Sequence, residues 1–526
     1  MRDFHLPGRS GVFSRNGMCA TSSPLAAHAA VRIMEEGGNA MDAAITAAVL
    51  LGLTEPSSTG IGGDMFALIR PAGEERIVGF NASGRAPKAL SAARLREQGM
   101  KEIPLDSPHS ITVPGAVDGF CKLAEDWGAK GIAACLAPSI RYAEEGVPVG
   151  PRTSFDWRNS GGRLKGDAAK YYLDGGEPYE AGSVFHAPGQ AEVLRRVAEQ
   201  GRAGFYEGEV MEDMVDSLRA LGGLHEASDF ADTAADYVEP VSTTYRDLEL
   251  VELPPNGQGV TALLIANILS HFDIASMDPF GAERAHLEAE ATKLGYDARD
   301  RFVADPATAL TARMLSDDVA AQLAALIDPD RAAPTPPPGA GAVHKDTVYL
   351  TTADKDGMVV SMIYSIFHPF GSGLASAKFG INFQNRGAGF VLTAGRPNEL
   401  VGGRRPLHTI IPAMIRKGGK LLASYGVMGG QYQATGHVRV LSNIADFGMS
   451  PQEALDAPRC FSDPQDGKLH IERGYFPDVR AALEAKGHKL HTPETPIGGA
   501  QMIRLNDNGV YEGASDPRKD GAAIGY

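Results

Sequence analysis

Apolar and polar positions follow a helical spacing through much of the first 346 residues and an alternating one through much of the rest. Ser23-Pro24 supplies a capping hydroxyl and then a proline where its missing N–H costs nothing. A helix is predicted from there to about Glu36, stopped by Gly37-Gly38. A second helix follows Asn39; its alanines at 40, 43, 44, 47 and 48 predict close backbone packing inside a large body. "TEPSSTGIGGDMFALI" reads as a glycine loop feeding a strand, and "RIVGFNASGRAP" as a second strand with an exposed loop after it. Residues 115–330 read mostly as helix, interrupted by "YRDLELVELPPNGQG", a strand and then a turn.

The character changes at "DPDRAAPTPPPGAGAVHKD", residues 328–346, where prolines and glycines exclude a helix or a central strand. Directly after it, "TVYLTTADKDGMVVSMIYSIF" predicts two strands around the turn Asp354-Lys355-Asp356-Gly357. "KLLASYGVMGGQYQATGHVRVLSNIADFG" predicts strand, glycine turn and helix, and "GAQMIRLNDNGVYEGASDP" another hairpin. Strands flanked by helices, with 62 glycines marking many tight turns, predict a layered sheet-and-helix body. Its two parts are 1–346 and 347–526, the first ending in the linker 328–346.

Composition narrows the partners. Hydrophobic residues make up 43% of the 526 and charged residues 22%, enough for a packed core. A net charge of −15 argues against nucleic acid or an anionic membrane as partner, while a few local arginines still allow an anionic small molecule. The opening thirty residues hold no apolar stretch of the secretory kind, and no apolar run is long enough for a membrane helix. Cys19, Cys121, Cys135 and Cys460 are far apart, as reduced thiols are. A cytoplasmic location is expected.

No cofactor or metal is expected. There is no H-E-x-x-H; His488 and His491 stand near a strand entry, and His286 and Glu290, one helical turn apart, read as a solvated face. "GIGG" at 60–63 reads as a tight turn, and G-x-S-x-G is absent. The junction Asp346-Thr347 is different. A threonine hydroxyl needs an adjacent base, and a free α-amine on the same residue is one. Such an amine has a pKa of about 7.7–8.0 and exists only if the preceding peptide bond is cut. Taken alone, a threonine opening a strand is commonplace.

The ordered strings around that junction alter the reading. "DTVYLTTADKDGMVVSMIYSIFHPFGSGL" resembles the start of the small subunit of γ-glutamyltransferases, self-cleaving N-terminal-nucleophile hydrolases. "GGNAMDAAITAAVLLGLTEPSSTGIGGDMF", "HLEAEATKLGYDARDRFVADP", "RRPLHTIIPAMI", "GVMGGQYQ" and "GASDPRKDGAAIGY" resemble further parts of that family, over nearly the whole chain. The resemblance implies an α+β fold, a four-layer αββα sandwich built jointly by two fragments of one precursor. It implies Thr347 as nucleophile, Asp346–Thr347 as processing site, and Ser365 as a second hydroxyl bonded to the nucleophile. Gly429 and Gly430 correspond to the turn whose N–H groups form the oxyanion hole.

The departures from the family concern the substrate. Ser83 stands where the family has a carboxylate-gripping arginine, with Arg85 two residues on; His408-Thr409 replaces a serine pair. Arg386 and Gly389, beside Asn385, replace the glutamine and aspartate that hold an α-ammonium group. An arginine there repels an ammonium and attracts a carboxylate. The expected substrate is a small amide with a carboxylate-bearing acyl group, as in the oxamate amidohydrolase branch. A γ-glutamyltransferase or glutathione hydrolase with a rearranged pocket and an uncleaved scaffold are the alternatives. The expected partners are the two fragments of one precursor as a heterodimer, a dimer of heterodimers being compatible, and neither nucleic acid nor membrane.

Overall fold

The computed structural model describes His5, residues 8–334 and residues 347–526, so Asp346 and linker residues 335–345 lie outside the described residues. The alanine-rich segment forms helix Ala40–Thr54 with every residue buried. It starts with a capping box: Asn39 accepts from Met41 and Asp42 N–H, and Asp42 accepts from Asn39 N–H. The helix before it, Pro24–Glu35, carries proline in its first turn.

Two seven-stranded antiparallel sheets stack face to face. One runs in the order Val12–Ser14, Tyr511–Ser515, Gly499–Leu505, Lys420–Met428, Ala413–Lys417, Leu248–Glu252, Val241–Tyr245. The other runs Ala522–Gly525, Gly17–Thr21, Val348–Asp354, Val359–Ser365, Asp64–Arg70, Val78–Ala82, Asp236–Val238. Met18, Phe66, Tyr349 and Ile363 from one inner face meet Val251, Met414, Met428 and Ile503 from the other. Helices Pro24–Glu35, Ala40–Thr54, Ala116–Asp126 and Ile132–Glu145 cover one outer face. Helices Gly259–Leu269, Ala282–Phe302 and Gln433–Ala445 cover the other. The fold is the expected helix–sheet–sheet–helix sandwich, and both sequence parts supply strands to both sheets.

One correction concerns His286 and Glu290, which are buried, not solvated. Helix Ala282–Phe302 is packed on a second side by a small three-stranded sheet and by helix Pro477–Ala485, through Ala285, Ala289, Leu469 and Leu483. His286 Nε2 donates to Asp328 O at 2.8 Å, and its Nδ1 lies 2.8 Å from His488 Nε2. Glu290 Oε1 takes the Lys293 ammonium at 2.7 Å, and its Oε2 accepts from Ala333 N–H at 3.0 Å. Ala332 N–H donates to Lys486 O at 2.8 Å. These bonds tie residues 328–333, which have no regular secondary structure, to the body. Among the described residues no helix is long and apolar enough to cross a membrane.

Candidate active site

The hairpin register creates the centre of the site. Val348 pairs with Tyr364, so Thr347, one residue earlier, falls opposite Ser365. Thr347 Oγ1 lies 3.4 Å from Ser365 Oγ, and both residues are fully buried. Ser365 in turn pairs with Asp64 on the neighbouring strand. The glycine loop before that strand lets backbones close in: a Cβ on Gly63 would stand 2.4 Å from Ser365 O, and one on Gly62 2.2 Å from Asn382 O. The predicted tight turn at 60–63 is thus also a close backbone contact with Ser365.

The second sheet delivers the other half. Strand Lys420–Met428 ends in Gly429 and Gly430, with φ of +114° and +56°, and helix Gln433–Ala445 starts three residues on. A Cβ on Gly429 would sit 2.7 Å from Gly498 Cα, so only glycine makes this turn. Gln433 reaches back from the first turn of that helix, with Nε2 3.4 Å from Thr347 Oγ1. Below the turn, His437 Nε2 accepts from Val427 N–H at 3.1 Å and Nδ1 donates to Glu252 at 2.6 Å, both side chains being fully buried.

Arg386 opens a short turn, Arg386–Gly389, and is wholly buried. Its Nη1 donates to Thr409 Oγ1 at 2.9 Å and its Nη2 approaches Ser365 Oγ at 3.5 Å. The guanidinium lies 4.0 Å over the Phe367 ring. Phe367 holds φ of +82°, unfavourable for a bulky residue, and its N–H donates to Ser365 Oγ at 2.9 Å. The other buried arginines, Arg284, Arg299, Arg405, Arg439 and Arg459, each have a carboxylate partner. Arg386 has no ion-pair partner among the described residues. Burial pushes its guanidinium down to about 9, with Asp64 opposing.

Asp64 does not pair with that arginine. Its Oδ1 accepts from Gly84 N–H at 2.8 Å, Gly115 N–H at 3.2 Å and Gln384 Nε2 at 2.9 Å; its Oδ2 accepts from His408 Nε2 at 3.1 Å. His408 Nδ1 faces Ile410 N–H at 3.4 Å, so both ring nitrogens are engaged inside the protein. Burial, and next the Arg386 charge, push His408 down to about 3, so it stays neutral. Of the adjacent pair, Thr409 meets Arg386 and His408 turns to Asp64. Asn385 braces the loop: its Oδ1 accepts from His368 N–H at 3.2 Å and its Nδ2 donates to Leu105 O at 3.0 Å. Arg85 lies apart and half exposed, 3.6 Å from Asp236 and donating to Gly403 O at 3.3 Å.

Asp64, Gln433 and Phe367 were not among the residues singled out from sequence, although each lies inside a string quoted for the family resemblance. A hydroxyl pair at the mouth of a hairpin, a glycine turn opening a helix and a buried cation beside them suit acyl transfer.

The family model for gamma-glutamyltranspeptidase matches residues 26–526. The chain belongs to the gamma-glutamyltranspeptidase family. It is therefore an N-terminal-nucleophile hydrolase or acyltransferase made as a self-processing proenzyme, as its relatives are. The glutathione hydrolase-like YwrD proenzyme of Bacillus subtilis is 33% identical, covering 98% of this chain and 99% of the relative. The oxamate amidohydrolase proenzyme of Klebsiella pneumoniae is 32% identical, covering 98% of this chain and all of the relative. Among solved structures, cephalosporin acylase from Bacillus halodurans superposes with a TM-score of 0.93 at 36% identity, over 100% of this chain and 99% of that one. The family's proenzymes are processed into a large and a small subunit.

Proposed function

We propose that this gamma-glutamyltranspeptidase-family chain is an amide hydrolase whose acyl donor carries a carboxylate and lacks a free α-ammonium group, as oxamate does. Processing begins when Thr347 Oγ1 adds to the carbonyl carbon of Asp346. The C–N bond breaks, water hydrolyses the resulting ester, and Thr347 gains a free α-amine. In turnover that amine takes the hydroxyl proton as Oγ1 attacks the donor's carbonyl carbon. The Gly429 and Gly430 N–H groups stabilise the oxyanion. Collapse expels the amine with the transferred proton, and water then cleaves the acyl ester. For oxamate the products are oxalate and ammonia.

The observation that carries the reading is Arg386, a buried cation without a carboxylate partner among the described residues. An unpaired buried charge costs several kcal/mol, and a donor carboxylate docked on it removes that cost. Thr409 Oγ1 accepts from Nη1 of the same guanidinium and Ser365 Oγ lies 3.5 Å from its Nη2, which supports a docking edge beside Ser365. A relative named an oxamate amidohydrolase supports the anionic donor, and one named an acylase supports amide hydrolysis.

Denaturing gels and donor kinetics test it together. Purified protein is expected to resolve into fragments 1–346 and 347–526, and Thr347→Ala to remain one chain of 55.5 kDa. Ammonia release from oxamate is expected to exceed γ-glutamyl-p-nitroanilide turnover. The reverse order overturns the reading of Arg386, and splitting in Thr347→Ala overturns the assigned nucleophile.

A further inference from the structure

The distance from nucleophile to buried cation limits the length of the acyl group. Thr347 Oγ1 to Ser365 Oγ is 3.4 Å and Ser365 Oγ to Arg386 Nη2 is 3.5 Å, so nucleophile and guanidinium are at most about 6.9 Å apart. Three segments must fit between them. Attack needs about 3 Å from Oγ1 to the carbonyl carbon, and a charge-assisted hydrogen bond needs about 2.8 Å from carboxylate oxygen to Nη2. The remainder belongs to the acyl chain, whose carbon–carbon bonds are about 1.5 Å each.

An oxalyl group has one such bond between its two carboxyl carbons and a malonyl group two. Bent at the carbonyl and at the carboxylate, either spans the gap. A glutaryl group has four bonds and extends about 5 Å between those carbons. To reach the same Nη2 it must coil between Thr347, Ser365 and Arg386, which are themselves wholly buried.

The cation is also poorly placed to retreat. Phe367 packs on one face of the guanidinium at 4.0 Å, Thr409 holds Nη1 at 2.9 Å, and the side chain has no exposed surface. With a ring against its face, Arg386 meets a carboxylate best in its own plane, on the edge turned toward Ser365 and Thr409.

We infer that the spacing of Thr347 and Arg386 selects short dicarboxylic monoamides, with acyl groups of two or three carbons, and rejects glutaryl-type donors. This rests on the reading of the donor as an anionic acyl group, and the test separates the two claims.

The wild-type protein, processed as purified, is assayed with oxamate, malonamate, succinamate, glutaramate and neutral propionamide, each as primary amide and as anilide. Ammonia or aniline release gives kcat/KM. Oxamate or malonamate is expected to lead, with losses of about tenfold per added methylene beyond that. Glutaramate equal to or better than the short acids, with propionamide poor, overturns the length limit and leaves the anionic reading standing. Propionamide as good as the acids, or no turnover of any donor, overturns the anionic reading and this inference with it. As a second measurement, Arg386→Lys puts a compact charge on a different stem. It is expected to lower oxamate turnover far more than propionamide turnover; an equal loss on both overturns Arg386 as the gauge.

Discussion

Gln433 Nε2 stands 3.4 Å from Thr347 Oγ1, and a third residue sets the direction of that amide: Ile411 N–H donates to Gln433 Oε1 at 3.1 Å. A backbone donor on the oxygen leaves the NH2 group facing the hydroxyl. An N–H aimed at Oγ1 favours the developing alkoxide and keeps the hydroxyl proton on the other side. Gln433→Ala is expected to lower kcat about tenfold to a hundredfold with little change in KM. Gln433→Glu places a carboxylate against the alkoxide and is expected to lose more, its deficit relative to wild type shrinking as pH falls and the carboxyl is protonated. Steady-state kinetics across pH check this; a loss that is the same at every pH shows a packing effect alone.

An acid limb alone is expected in the pH profile. The α-amine of Thr347 must be neutral to act as base, so activity rises with pH through a pKa at or below about 7.7–8.0, lowered by the nearby Arg386 charge. Burial pushes the Arg386 guanidinium down, yet a guanidinium keeps its charge across the working range. Carboxylate capture is therefore expected to be independent of pH, and the anionic donor and neutral propionamide to share the same acid limb. A basic limb confined to the anionic donor would show that Arg386 loses its proton.

The His437–Glu252 pair supports the strand that ends in the glycine turn. Both side chains are fully buried, and burial raises the Glu252 pKa while His437 opposes it. His437→Ala takes away the hydrogen-bond donor of the buried Glu252 carboxyl, a loss of about 1–3 kcal/mol, and frees Val427 N–H two residues before Gly429. Thermal unfolding is expected to begin at lower temperature and processing to slow. His437→Leu combined with Glu252→Leu is expected to recover much of the stability, since no buried carboxyl is left without a donor. An undiminished melting temperature in His437→Ala would show that the pair is not needed.

Two glycines of one loop are expected to differ sharply. A methyl on Gly63 meets Ser365 O at 2.4 Å, whereas one on Gly60 meets nothing within 4 Å. Gly63→Ala must therefore move the Ser365 backbone, and with it the hydroxyl beside Thr347. Uncleaved precursor is expected to accumulate in Gly63→Ala and not in Gly60→Ala, read on a denaturing gel. Equal processing of the two shows that the close approach to Ser365 does not matter.

The local elements were legible because their causes are local. Asn39 and its following alanines predict helix Ala40–Thr54, and the turn at 354–357 predicts the hairpin Val348–Asp354 and Val359–Ser365. The short edge strands Val12–Ser14 and Ala522–Gly525 were not read, since so few residues carry little periodic signal. His286 and Glu290 were misread because one helical turn of spacing is the same on a wet face and a dry one. Only the second layer packed on Ala282–Phe302 makes that face dry.

By itself the sequence determined the layered class and the hairpin that follows residue 347, because period and turn residues are written within twenty residues; the family, and with it Ser365 as the partner of Thr347, came from the resemblance of ordered strings along the chain. Tertiary structure alone decided that Arg386 is a buried cation without a carboxylate partner among the described residues, that Asp64 is spent on His408, and that Gln433 reaches Thr347. Those groups come from strands, loops and a helix scattered over some 370 positions. Their charges and hydrogen bonds meet only after two sheets have closed on a shared core.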